Sequence, residues 1–149
     1  MKILFVCLGN ICRSPAAEGV ARVVVKELAE EITFDSAGLG NWHIGKPPHK
    51  PMRQVAAEKG YPIDDLSARQ VKSTDFQEFD WIVAMDSSNL EELKRLKDLY
   101  GGKAQLSMLL DPKNHGQKDV PDPYYGDMDL FYESFGLIER AVPDFLRKL

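Results

Sequence analysis

The first fifteen residues constrain this chain most. A run of strand-forming residues, Lys2-Ile3-Leu4-Phe5-Val6, gives way after a short loop to Ser14-Pro15, which reads as an N-cap followed by a first-turn proline. An apolar run without polar alternation predicts a strand covered on both faces, and the residues after Pro15 place Ala17, Val20, Ala21, Val24 and Leu28 on one helical face. The chain therefore opens as strand, tight loop, helix. The same alternation continues. Strands are expected at Ile32–Asp35, Trp81–Met85 and Ala104–Leu109, and helices at Pro51–Lys59, Ser87–Leu99 and Met128–Leu149. Gly60 and Gly101-Gly102 are the helix stops, and Pro143 is expected to kink or split the last helix. Long loops are expected over Ala37–Pro51 and Asp111–Asp127. This order predicts one α/β domain over residues 1–149, with a parallel sheet and right-handed crossovers.

In such a sheet, ligands bind beyond the carboxyl ends of the strands, which directs attention to the loop Cys7-Leu8-Gly9-Asn10-Ile11-Cys12-Arg13-Ser14. Gly9 and Asn10 tolerate positive φ, so the backbone N–H groups of this loop can turn inward as an anion nest, with a helix N-terminus behind them. Phosphate is the natural guest. Arg13 supplies a planar fork for two phosphate oxygens. The field that attracts phosphate also favours the thiolate of Cys7, the nucleophilic form of a cysteine. Ser14 can donate to that sulfur, and Asn10 can pin the loop through its amide. The bland alternative, a buried core cysteine at a strand end, does not account for Gly-Asn, Arg13 and Ser-Pro standing in register. A nucleotide-binding P-loop needs Gly-Lys-Ser/Thr where this chain has Cys-Arg-Ser, and a thioredoxin-type site needs a shorter cysteine spacing.

Composition narrows the class. Net charge is −4, with 19 basic against 23 acidic residues, which argues against a nucleic-acid partner. The apolar runs are too short to span a membrane, and Lys2 leads directly into a strand-like run, so a cytoplasmic protein is expected. Two cysteines with no second pair make no zinc site, and His43, His49 and His115 read as exposed loop histidines.

Displacement at phosphorus needs a proton donor for the departing oxygen. Asp122 is the candidate, stiffened by Pro121 and Pro123, with Asp119 and Asp111 as rivals in the same loop. Trp42 is read as either core packing or one wall of an aromatic slot, with Tyr124 opposite. Such depth would favour phosphotyrosine over phosphoserine. Cys12, five residues from Cys7, is expected to act as its redox guard through a disulfide, the alternative being simple packing beneath the loop.

These residues resemble the low-molecular-weight protein tyrosine phosphatases over essentially the whole chain. The resemblance rests on Val6-Cys7-Leu8-Gly9-Asn10-Ile11-Cys12-Arg13-Ser14-Pro15, on Asp35-Ser36-Ala37-Gly38 with Trp42 after it, on Ala68-Arg69-Gln70, on Ala84-Met85-Asp86 and on Asp122-Pro123-Tyr124-Tyr125. It implies a four-stranded parallel sheet flanked by helices on both faces. It implies metal-free hydrolysis of phosphotyrosine and small aryl phosphates through a phosphocysteine, without a cofactor and with inorganic phosphate as product. Cys7 is then the nucleophile, Arg13 the clamp and Asp122 the general acid, while Asn10, Ser14 and Ser36 orient the loop. One departure is visible: Leu66 stands where many members carry a histidine that braces the loop. Thioredoxin-coupled arsenate reductases share the loop but need later cysteines, and none follows Cys12. Protein-arginine phosphatases tend to have Thr where Ile11 stands and lack the paired tyrosines. A non-enzymatic phosphate-binding module would need neither Cys7 nor Asp122.

Overall fold

The computed structural model describes residues 1–149. Strand β1 (Lys2–Cys7) is followed by α1 (Arg13–Val24), a 3-10 turn, β2 (Thr33–Gly38), α2 (Lys50–Glu58), α3 (Asp75–Glu78), β3 (Trp81–Ala84), α4 (Ser87–Tyr100), β4 (Gln105–Met108), α5 (Pro112–His115) and α6 (Met128–Arg147). The four strands form one all-parallel sheet in the order β2-β1-β3-β4. The expected α/β architecture is thus the observed one.

Successive residues of β1 point to opposite faces. Ile3, Phe5 and Cys7 join a core built with α1, α2 and α6, whereas Leu4 and Val6 join a second core with Phe76 and Leu93 from α3 and α4. That double coverage is why the strand reads as an unbroken apolar run. With the sheet order 2-1-3-4, β1 lies between β2 and β3, so the loop leaving Cys7 is flanked by the chain leaving Gly38 and Ala84. Gly38 is glycine for a steric reason: a Cβ there would lie 3.0 Å from the backbone of Gly9.

Several local expectations change. Ser14 does not cap α1. The helix starts at Arg13 with Cys12 in the capping position and no side-chain cap, and the Ser14 hydroxyl turns back to Cys7 instead. Pro143 lies inside α6 without splitting it. The turn around it is held by Ile138, Ala141, Val142 and Leu146, all buried in the larger core. The helix expected to run to Leu149 ends at Arg147, leaving Leu149 exposed beyond it, and Phe145 is half-buried with its ring edge-on to Trp81 at 5.9 Å. Two four-residue helices, α3 and α5, are too short to leave a periodic signal. No helix is long and apolar enough to cross a membrane.

Candidate active site

The loop after β1 wraps around the sulfur of Cys7. Ser14 Oγ lies 3.0 Å from Cys7 Sγ, and the backbone N–H of Asn10 donates to the same sulfur at 3.3 Å. Asn10 is the one non-glycine residue with positive φ, at 58°. Gly9 adopts no such conformation. Its lack of a side chain instead makes room for His43, whose ring would be 3.2 Å from a Cβ at that position.

Behind the loop runs a buried polar chain. The Asn10 amide donates from Nδ2 to Ser14 Oγ at 2.8 Å and to Ser36 Oγ at 3.0 Å, and Ser36 donates to Glu18 Oε1 at 2.7 Å. Ser14 Oγ accepts from Asn10, which leaves its own proton for Cys7 Sγ. Glu18 is buried in α1 and pairs with Arg22; burial raises its pKa, although the Ser36 hydroxyl and Arg22 oppose the shift. The free side of the Asn10 amide, Oδ1, accepts the Arg69 N–H at 2.9 Å. Residue 69 is itself fixed, because the segment carrying it pairs with Gly38 and its guanidinium bonds Asp35 and buried Asp75. Leu66 packs against the larger core, so the loop is braced from the Arg69 backbone without a histidine at 66.

Arg13 is almost fully buried. Its Nη1 donates to Asp86 at 2.5 Å and to the Val120 carbonyl at 3.0 Å, while Nη2 faces Asp122 at 3.5 Å. Burial alone would lower its pKa, but Cys7, Asp86 and Asp122 outweigh that cost and raise it. Asp86 also caps α4 by accepting from Asn89 N at 2.7 Å. One aspartate thus fixes both a helix start and the guanidinium.

The three candidate aspartates of the long loop separate. Asp119 is spent on Ser87, accepting its N–H at 2.8 Å and its hydroxyl at 2.6 Å; the hydroxyl bond is the main reason its pKa is lowered. Asp111 caps α5 and pairs with Lys148 at 2.9 Å, away from the loop. Asp122 alone faces the site, with a 44% exposed side chain at its mouth. Cys7, Leu8, Gly9, Ile11, Cys12, Arg13, Trp42, His43, Asp122, Tyr124 and Tyr125 line one cavity of about 480 Å³. Asn10, Ser14 and Ser36 do not line it; their side chains lie in the network behind the loop. Trp42 is 62% exposed rather than packed in the core, and its ring lies over Gly40, where any Cβ would collide with it. Tyr124 is half-buried and Tyr125 is 96% exposed, the two rings meeting edge-on at 4.8 Å. Cys12 is a buried free thiol. Burial pushes its pKa well up, and the neighbouring Cys7 adds to the effect.

The histidines are not the exposed loop residues expected. His43 and His49 are half-buried and bracket Tyr124 with ring separations of 5.9 and 5.0 Å. The His115 side chain is 4% exposed; its Nδ1 accepts the Asp111 N–H at 2.9 Å, so Nε2 carries the proton donated to Asp144 at 2.9 Å. Nowhere do three or more His, Cys, Asp or Glu side chains converge as metal ligands. Sequence reasoning passed over Glu18, Asp86 and Arg69 as parts of the site. A carboxylate between Ala17 and Gly19 on a buried helix was the available signal for Glu18. A strand-end aspartate before a helix was the signal for Asp86.

A family model described as low molecular weight phosphotyrosine protein phosphatase matches residues 2–149. The chain belongs to this family. A low molecular weight protein-tyrosine-phosphatase of Bacillus subtilis, YfkJ, is 43% identical over 128 residues, 84% of this chain and 81% of the relative. The crystal structure of YfkJ superposes with a TM-score of 0.89 and 40% identity, covering 99% of this chain and 93% of that one. The crystal structure of a drosophila arginine phosphatase superposes with a TM-score of 0.90 at 32% identity, covering 99% of this chain and 97% of that one. Family membership makes the protein a phosphatase and a hydrolase.

Proposed function

We propose that this protein hydrolyses phosphotyrosine and small aryl phosphates through a phosphocysteine on Cys7. The observation that carries the reading is the convergence of Cys7 Sγ, the Arg13 guanidinium and the Asp122 carboxyl on a single cavity, with Ser14 and Asn10 N–H directed at the sulfur. Asp86 and Val120 hold Nη1 of Arg13, which leaves its Nε–Nη2 edge to take two phosphate oxygens. The Cys7 thiolate attacks phosphorus, and the S–P bond forms as the bond to the aryl oxygen breaks. Asp122 gives its proton to that oxygen. Asp122, now a carboxylate, then takes a proton from water as the water oxygen attacks phosphorus. The S–P bond breaks, releasing inorganic phosphate and the thiolate. Trp42 and Tyr124 are the walls that give the slot the depth of an aryl ring.

Turnover of p-nitrophenyl phosphate in the presence of EDTA, beside peptides carrying phosphotyrosine, phosphoserine or phosphoarginine, tests the reading. Phosphotyrosine should be the best of the three peptides. A preference for phosphoarginine would move the protein to the activity named for the drosophila relative. Cys7→Ser should abolish turnover while retaining phosphate binding, and residual turnover above about 1% of wild type would sink the covalent route.

A further inference from the structure

A second concavity, about 330 Å³, adjoins the active-site cavity and shares Ile11, His43 and Tyr124 with it. Its charged lining is of one sign: Lys46, Lys50 and Arg53, with no carboxylate among them. The whole chain carries a net charge of −4, so this sign is a local arrangement and not inherited from composition. Lys46 and Lys50 are exposed and take part in no salt bridge, whereas Arg53 meets Asp64 only at 3.7 Å and keeps a buried Nε without a partner. The start of α2 faces the same space, since Lys50 is its first residue and His49 precedes it without a side-chain cap. A helix N-terminus adds partial positive charge to that of the side chains. His49 borders the same space, and its pKa is lowered by burial first and then by His43 and Arg53.

We infer that this basic strip is a subsite for an anionic group flanking the phosphorylated tyrosine, so that the protein selects acidic phosphopeptides. The inference rests on the phosphatase reading above. An extended peptide advances roughly 3.3 Å per residue, so a side chain two or three positions from the phosphotyrosine reaches across Tyr124 to Lys46 and Lys50. Ammonium groups are compact point charges that suit either a carboxylate or a phosphate. Asp or Glu side chains and a second phosphotyrosine are therefore the two sources of the same chemistry.

The test compares phosphotyrosine peptides flanked by Glu, by Ala or by a second phosphotyrosine, with p-nitrophenyl phosphate as a substrate that has no flank. Wild type should show a KM for the Glu peptide about 5-fold or more below that of the Ala peptide, the scale of a few exposed charge pairs, with kcat alike. Lys46→Glu/Lys50→Glu should erase or reverse this difference and leave p-nitrophenyl phosphate turnover unchanged. Glu at position 50 suits the first turn of a helix, so the fold tolerates it. The preference should also fade between about 0.1 M and about 1 M salt, as the Debye length falls from about 10 Å to about 3 Å. A lower KM for the doubly phosphorylated peptide, lost in the variant, assigns the strip to phosphate; the opposite order assigns it to carboxylates. Equal KM for Glu and Ala peptides, or a Glu preference that survives the double variant, overturns the inference while leaving the phosphatase reading intact. Absence of p-nitrophenyl phosphate turnover in wild type overturns that reading and the inference with it.

Discussion

Asp122 differs from its two loop neighbours in having no structural partner strong enough to use it up. Asp119 is committed to Ser87 and Asp111 to Lys148, whereas Asp122 makes one long backbone contact, from Tyr124 N at 3.2 Å, and faces Arg13. Asp122→Asn should therefore slow hydrolysis of a phosphate ester with a poor leaving group by about 10²–10⁴-fold, and a good leaving group by less. Asp119→Asn should lower thermal stability through α4 and leave the dependence on leaving group untouched. An equal loss across leaving groups in Asp122→Asn would count against its role as the acid. At Cys12, burial keeps the thiol protonated, so an oxidant meets Cys7 first. After brief peroxide treatment and then a thiol reductant, wild type should recover activity. Cys12→Ser should begin near normal and recover poorly. Matching recovery would reduce Cys12 to a packing residue.

At the scale of elements, the loop is held by what stands behind it. Asn10 combines a left-handed backbone with three side-chain hydrogen bonds, to Ser14, Ser36 and the Arg69 N–H. Substitution separates the two contributions. Asn10→Gly keeps the conformation and removes the amide, whereas Asn10→Ala removes the amide and adds backbone strain. Both should lower kcat, because Ser14 loses the donor that directs its proton toward sulfur. Asn10→Ala should also cost about 1–3 kcal/mol of stability through unpaired buried groups and strain. Urea unfolding beside steady-state rates checks this, and a Gly variant with wild-type kcat would show that the amide network is only structural.

Across the whole molecule, two buried acids give stability a definite pH dependence. Folding raises the pKa of Glu18 above its ordinary 4.5, so its contribution is complete below that value and is lost as pH rises through the raised one. Cys12 behaves likewise from its ordinary 9.0 upward, since the unfolded thiol ionises there while the folded one does not. Urea midpoints should therefore decline above about pH 9, and Cys12→Ser should flatten that decline. A wild-type decline of the same slope in the variant would assign it elsewhere. The strand-loop-helix opening, the parallel α/β order and the placing of Cys7 and Arg13 in one loop after β1 were legible in the amino-acid sequence. Each rests on a local pattern: apolar periodicity, turn chemistry, or a cysteine and an arginine six residues apart between a strand and a helix start. The choice among Asp111, Asp119 and Asp122 was not legible from position alone, nor were the Asp86 anchor, the Glu18–Ser36–Asn10 chain or the basic strip beside Tyr124. Those depend on which side chains the crossovers bring together from positions as far apart as 13 and 86, or 46 and 124. Partnership between distant residues leaves no periodic trace along a chain, and only the packed sheet and helices decide it.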